Sequence, residues 1–326
     1  MRVLITGIAG FVGPYLARLL LAGGHAVHGI VRRPGEGRAL DGVAREFGAA
    51  FPPAALHAAD VLDPRALRSA IAEAQPDAVF HLAGVTFVPA ATADPLAAYR
   101  TNFFGTLNVL QAVGEVQPRA RVIFVGSGDA YGAAGDRWER VTEEVPFAPA
   151  SAYAVSKAAA DLAAFQWGWA GGDVVRVRPF NHTGPGQRSD FVCSDFARQV
   201  AEIENGRRPA VLEVGNLDAE RDFTDVRDVV AGYQLLLERG RRGEAYNLCS
   251  GTGVAIGAIV EKLRSRARVP IDVRVAPGRR RHNEIRRLVG SPEKVRVDAG
   301  WRASRSLDDT LEDLLLHWRE RVAGSA

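Results

Sequence analysis

The sequence predicts an α/β protein: a doubly wound parallel sheet with a smaller mixed α/β C-terminal lobe. Three observations carry this. Short apolar runs alternate with helix-length runs through the first half of the chain, the pattern of strands joined by crossover helices. The first run ends in spaced glycines and passes directly into a helix. Beyond the turn-rich stretch NHTGPGQ the alternation changes, as it does where a second lobe is inserted. With 326 residues the chain suits one large or two closely joined domains.

Taken in order, RVLITG reads as a strand and is followed by a helix to about Leu21. HAVHGIV, ALHAADV, DAVFHLAG and RVIFVGS are the next strands, each a brief apolar run of the kind buried on both faces. PRALRSAIAEA, AYRTNFFGTLNVLQAVGEV and AYAVSKAAADLAAFQWGWA read as helices between or after them. DVVRVRPF is a further strand, SDFARQVAEIENG a helix and AVLEVGN a short strand. VRDVVAGYQLLLERG and EAYNLCS return as a helix and strand of the main sheet, while VAIGAIVEKLRSRA and SLDDTLEDLLLHWRERV are helices of the smaller lobe. The expected division is therefore discontinuous: residues 1–180 plus about 223–250 in the main domain, and about 181–222 plus 251–326 in the smaller lobe.

Composition narrows the function classes. Hydrophobic residues make up 47% and charged residues 24%, ordinary for a globular chain, and the formal net charge of +3 lends no support to nucleic-acid binding. Lys157, Lys262 and Lys294 are the only lysines, so a lysine inside a motif carries weight. Cys193 and Cys249 fit neither a metal-ligand spacing nor a disulfide framework, and no metal is expected. MRVLITG enters a strand at once, and no apolar run approaches the roughly 20 residues of a membrane helix. The expectation is a soluble cytoplasmic protein.

Gly7, Gly10 and Gly13 lie in TGIAGFVG between strand and helix. The first permits the tight turn, the second lets backbone approach a pyrophosphate, and the third lets the helix pack on the strand. Helix N-terminal N–H groups add anion binding. A dinucleotide is the expected ligand, with Phe11 and Val12 among its contacts. At the end of the second strand, where an NAD site usually places an acidic residue, stand Arg32 and Arg33. Guanidinium groups there suit the extra phosphate of NADP(H), the cofactor expected here; a solvated arginine pair is the other reading. Asp60 and Val61 are placed to bracket the adenine, and Leu82, Ala83 and Gly84 to line the cofactor after the fourth strand. His81, inside an apolar strand, reads as structural.

The stretch VIFVGSGDAYG brings Ser127, Asp129 and Tyr131 to the end of the fifth strand, and YAVSK places Tyr153 and Lys157 at i and i+4 on one helix face. A phenol with a pKa of about 10 is a poor proton shuttle at neutral pH, and a shift of about three units amounts to roughly 4 kcal/mol of differential interaction. A nearby ammonium supplies part of this.

With these motifs in hand, TGIAGFVG, HLAG, the strand ending at Ser127, YAVSK and RPFNHTGPGQ, the chain resembles the extended short-chain dehydrogenase/reductase family over nearly its whole length. The resemblance implies a Rossmann-type domain with a smaller nucleotide-sugar lobe. It implies that Tyr153 is the acid or base, that Lys157 binds the nicotinamide ribose and tunes Tyr153, that Ser127 orients the reacting oxygen, and that Tyr131 is structural. Asn102 and Phe180 are implied cofactor contacts. NHTGPGQ, FVCSDFARQVAEIE, VGNLDAERDFTDVRDVV and NEIRRLVGS are similar to the GDP-mannose branch of that family. By that similarity Thr86, Ser127, Asp129, Asn181, Val192 and Arg221 contact the sugar nucleotide, Arg281 the diphosphate and Glu284 the guanosine ribose. The branch usually has proline after that arginine, whereas here His282 follows Arg281.

Two reactions divide the branch. A 4,6-dehydratase needs an acid/base group besides the tyrosine. Its relatives carry a glutamate two residues before the YG tyrosine, often beside another polar group; here those positions are Asp129 and Gly128. Asp129 either serves elimination or bonds locally in its loop. VGSGDAYG reads better as a reductase loop, and the expected activity is NADPH-dependent reduction of the 4-keto group of GDP-4-keto-6-deoxy-D-mannose to GDP-D-rhamnose. The alternatives are the dehydratase, a 4-reductase giving GDP-6-deoxy-D-talose or acting on another GDP-4-keto sugar, a nucleotide-sugar epimerase, and a non-catalytic sensor on the same fold. By resemblance, apolar faces around FFGTLNVLQAV and YAVSKAAADLAAF pair in a four-helix homodimer interface.

Overall fold

The computed structural model describes residues 1–33, 40–47, 51–52, 55–276 and 285–324. Its main sheet holds seven strands: β1 (Arg2–Thr6), β2 (Ala26–Val31), β3 (Leu56–Ala58), β4 (Ala78–His81), β5 (Arg121–Val125), β6 (Val174–Pro179) and β10 (Ala245–Leu248). They lie in the order β10-β6-β5-β4-β1-β2-β3, and every pairing is parallel. The fold class is the one the sequence predicts.

Alternation along the strands explains the layers. Val3, Ile5, Phe80, Ile123 and Val177 face one side, where α1 (Gly13–Ala22) and α9 (Val226–Arg239) add Leu16, Leu20, Val229 and Leu236. Leu4, Val79, Val122 and Phe124 face the other, against α3 (Pro64–Ala74), α6 (Gly105–Val116) and α7 (Ala152–Trp169). Successive strand residues point to opposite faces, so both layers are dry. Burying each such side chain contributes about 1.5–3 kcal/mol. Local signals set the helix starts: Asp63 accepts from the N–H groups of Arg65 and Ala66 ahead of α3, and Ser151 from that of Ala154 ahead of α7.

One predicted helix is broken. AYRTNFFGTLNVLQAVGEV forms α5 (Pro95–Tyr99), a π-helical turn over Arg100–Phe104, and then α6. The wider turn carries Asn102, whose side chain bonds outside its own helix.

After β6 the chain leaves the main sheet. β7 (Asn181–Thr183) pairs with β9 (Glu220–Asp225), which also pairs with β11 (Gly253–Ala255) and β13 (Arg287–Leu288). β8 (Val211–Val214) pairs with β12 (Asp272–Val275). The core of this lobe joins Phe196 and Val200 of α8 (Val192–Glu204), Ile259 and Leu263 of α10 (Ile256–Arg264), and Leu311, Leu314 and Trp318 of α12 (Leu307–Ala323). Between β9 and β11 the chain returns to the main domain through α9 and β10. Among the described residues no helix is long and apolar enough to cross a membrane.

Candidate active site

The strand order reverses between β4 and β1, so the loops after these strands diverge and open a crevice at their carboxyl ends. The glycine loop lies on one side of it. Gly7 adopts φ +69°, and a Cβ there would sit 2.8 Å from the Ala83 backbone, in the loop after β4. Gly10 N–H donates to Gly7 O at 2.9 Å and closes the turn. A Cβ on Gly13 would stand 2.0 Å from Ile8 O, so only glycine lets α1 start this close to β1. Helix α1 begins without a side-chain cap or an acidic residue in its first turn. Its first N–H groups are therefore left for an anion, which fits a dinucleotide pyrophosphate. Val12 is the N-cap residue and Phe11 packs edge-on to Tyr15, with 6.0 Å between centroids.

Arg32 and Arg33 are exposed at the end of β2. Asp60 follows β3 and accepts from Leu62 N–H at 2.9 Å; Val61 is buried, and its carbonyl accepts from Asn108 at 2.9 Å. Gly84 and Thr86 are exposed in the loop after β4, next to the half-buried Leu82 and Ala83.

A buried polar chain holds that loop. Thr106 donates its hydroxyl proton to the Asn102 carbonyl at 2.6 Å, and so it accepts from His81 Nε2 at 3.0 Å. His81 Nδ1 is then bare and accepts from Thr6 at 2.8 Å, and Thr6 Oγ1 in turn accepts from Ala83 N–H at 3.2 Å. Burial, aided by the charge of Lys157, holds the His81 imidazole neutral with a pKa of about 3. His81 is a structural link, as its apolar strand implies. The Asn102 side chain accepts from Val85 N–H at 2.7 Å and donates to Val85 O at 3.0 Å and to Ser156 Oγ at 2.8 Å. Its polar atoms are thereby committed to shaping the cofactor loop and tying it to α7. Ser156 and Thr106 carry this bracing and went unremarked in the sequence, since one buried hydroxyl in a helix looks like any other.

The reacting groups meet at the end of β5. Ser127 leaves the strand in extended conformation and accepts from Asp129 N–H at 3.1 Å, with its hydroxyl near enough to the Tyr153 phenol to act on its titration. One turn along α7, Lys157 donates to Val125 O at 2.6 Å, with its ammonium 5.5 Å from the Phe124 ring centre. Burial lowers the lysine's pKa to about 8 against the opposing pull of Asp161. Burial also raises the Tyr153 phenol well above its usual range; the nearby Asp129 charge adds to this and the Ser127 hydroxyl opposes it. The structure thus brings Ser127, Tyr153 and Lys157 together, with Asp129 in electrostatic reach.

Tyr131 is fully buried, accepts from Arg178 at 2.8 Å and donates to Asn247 at 2.8 Å. Asp161 binds both Arg176 and Arg178 at 2.7–2.9 Å, so α7 is keyed to β6 one turn beyond Lys157. Phe180 packs its ring between Gly128 and Gly290, where added Cβ atoms would come within 2.9 and 2.7 Å of it.

On the substrate side, Asn181 opens β7 and Val192 opens α8, both half-buried. The Arg221 guanidinium on β9 donates to Glu220 O at 2.9 Å and to Ile285 O at 2.7 Å, which brings it to the segment just after the expected diphosphate loop. Arg281 and Glu284 themselves lie outside the described residues. Burial raises both thiols, Cys193 to about 12, so neither is a nucleophile at neutral pH.

A parallel sheet with its glycine loop at the reversal point, and a serine–tyrosine pair one helical turn from a buried lysine, define an extended short-chain dehydrogenase/reductase. The family model described as GDP-mannose 4,6 dehydratase matches residues 4–314, and the chain belongs to that family. It is 37% identical over 322 residues to the GDP-6-deoxy-D-mannose reductase of Pseudomonas aeruginosa, covering 98% of each chain. Among solved structures it is similar to RMD from Pseudomonas aeruginosa complexed with NADPH, with a TM-score of 0.84 and 35% identity over 98% of this chain and 100% of the other. A UDP-glucose 4-epimerase from Thermus thermophilus in complex with NAD also has a TM-score of 0.84, at 28% identity over 98% and 99% of the two chains.

Proposed function

We propose that this protein uses NADPH to reduce the 4-keto group of GDP-4-keto-6-deoxy-D-mannose, giving GDP-D-rhamnose. One observation carries the reading: burial holds the phenol of Tyr153 on α7 protonated beside Ser127, and the position next to Ser127 in the loop after β5 is Gly128. Reduction asks for a proton donor beside a carbonyl, and nothing more from the protein's acid/base groups. Elimination asks for a second group, and Gly128 has no side chain to give.

In this reading Ser127 and Tyr153 bond the keto oxygen and polarise it. The bound dinucleotide's contribution is a hydride to carbon 4. Tyr153 protonates the resulting alkoxide, and its phenolate recovers a proton from solvent. The Lys157 ammonium stabilises the phenolate in between and holds the nicotinamide ribose. Arg32 and Arg33 favour NADPH over NADH through its additional phosphate. The 37% identity to a GDP-6-deoxy-D-mannose reductase over the whole chain supports the choice of sugar.

The dehydratase is the second reading, since Asp129 is near enough to act on the phenol electrostatically. An absorbance assay at 340 nm separates the two. NADPH oxidised with the keto sugar, and not with GDP-mannose, is the expected result. Conversion of GDP-mannose to the keto sugar without added NADPH would replace the reductase by the dehydratase. Product NMR then distinguishes rhamnose from 6-deoxytalose.

The reading includes a homodimer. Leu96 of α5, Phe104 of the π-turn, and Leu162, Phe165 and Trp169 of α7 are exposed, Trp169 by 85%. Large apolar side chains clustered on neighbouring helices mark an interface. Sedimentation at micromolar concentration should give a dimer; a monomer alone would remove this part.

A further inference from the structure

Two contacts join the glycine loop and the start of α1 to β7 and the loop after it, and neither belongs to the catalytic group. The Phe11 ring lies parallel to the imidazole of His182, with 6.2 Å between centroids and 7° between planes. Tyr15, at the start of α1, donates its phenol proton to Pro185 O at 2.7 Å. His182 is held from its own side as well. Its Nδ1 donates to Phe180 O at 3.0 Å, which fixes the tautomer and the ring plane. Its backbone carbonyl accepts from Gln187 at 2.8 Å, and β7 runs beside β9 with His182 opposite Thr224. Phe11 is therefore attached to the dinucleotide loop, and His182 to the strand pair that presents Asn181 and Arg221. A rigid ring-on-ring contact between them means that whatever fixes one loop also orders the other.

We infer that His182 is a positioning residue: through its stack on Phe11 it couples occupancy of the dinucleotide site to binding of the sugar nucleotide. This deepens the reductase reading and rests on it for the identity of the two ligands. Burial keeps the His182 imidazole neutral, so the coupling is a matter of contact and not of charge. By linkage it must be reciprocal: NADPH tightens the nucleotide site by the same factor as the nucleotide tightens the NADPH site.

The test is calorimetric titration of NADPH into the full-length protein, with and without saturating GDP. For the wild type we expect NADPH to bind at least about fivefold tighter when GDP is present. His182→Ala should bring that ratio close to one and raise KM for the keto sugar about tenfold, with kcat and the affinity for NADPH alone changed by less than about twofold. His182→Phe keeps an aromatic face and should restore most of the coupling, although it loses the bond to Phe180. Phe11→Leu, altering the other ring, should abolish the coupling as His182→Ala does. Coupling retained in His182→Ala, or a His182→Phe protein as uncoupled as the alanine variant, would overturn the inference. The titration needs no turnover. Failure of the reductase assay with intact coupling would count against the reaction alone, and lost coupling beside normal NADPH oxidation would count against the stack alone.

Discussion

At the scale of single residues the site is set for giving up a proton. Burial and the charge of Asp129 keep the Tyr153 phenol protonated, the form in which it donates to an alkoxide. Tyr153→Phe should cut kcat by at least about 100-fold, the usual weight of a general acid, while fluorescence titration shows unchanged NADPH binding. Asp129→Asn removes a charge that opposes phenolate. The reductase should keep turnover within about tenfold, whereas an enzyme using Asp129 for elimination would lose it. Lys157 supplies a third outcome. With its pKa lowered to about 8, the ammonium is present below that pH and is lost above it. In the proposed mechanism that charge supports the phenolate, so kcat/KM should fall on the alkaline side with a midpoint near 8. A profile flat to pH 9.5 would show that the lysine's charge is not used.

At the scale of elements the glycine loop is the rigid part. At Gly13 an added methyl would meet backbone oxygen at 2.0 Å, and neither partner is a side chain that can swing away. Gly13→Ala should cost about 1–3 kcal/mol, as overpacking does, and should abolish NADPH binding; thermal unfolding and titration report the two losses separately. This loop was legible in the sequence because the residue type is itself the constraint. The strands of the main sheet were legible for a related reason, since burial on both faces leaves almost nothing but apolar residues. The π-turn was not. The apolar pattern of YRTNFFGTLNVL runs on without a break, and Asn102 in the turn bonds to Val85, 17 residues away. Strand β9 was hidden for the opposite reason. ERDFTD holds one large apolar residue, and Asp222 is tolerated in the interior because it accepts from Ser250 N–H and Oγ, Gly251 N–H and Gly290 N–H. Partners that arrive from 28 and 68 residues away leave no local signal. The proposed catalytic residues Ser127, Tyr153 and Lys157 fall within two short motifs; the ties of Ser156 to Asn102, of Thr106 to His81 and of Asp161 to β6 are tertiary contacts with no local signal.

At the scale of the whole molecule, stability should carry the signature of imidazoles that the fold keeps neutral. His81 sits among Thr6, Thr106 and the Lys157 charge, and its pKa falls to about 3. His28, on β2, is also lowered, by burial first and then by the neighbouring His57 and Arg2 charges; its Nδ1 lies 3.1 Å from His57 Nε2, and His57 Nδ1 lies 3.1 Å from Glu73. In the unfolded chain these rings regain the ordinary value near 6.5. Between that pH and the lower folded values the unfolded state binds more protons than the folded one, so acid favours unfolding. For His81 the stability is fully present above about pH 6.5 and is lost as pH falls toward 3, at roughly 1.4 kcal/mol per pH unit while the ring stays neutral, and His28 adds in the same direction. Urea unfolding at pH 7.5, 6.5, 5.5 and 5.0 samples this window before most carboxylates titrate. The expected result is little change from 7.5 to 6.5 and a steady decline below. His81→Gln keeps one donor and one acceptor between the two threonines without the ionisable ring, and should flatten the slope by about one proton. An unchanged slope in that variant would assign the acid sensitivity to groups other than the link beneath the cofactor loop.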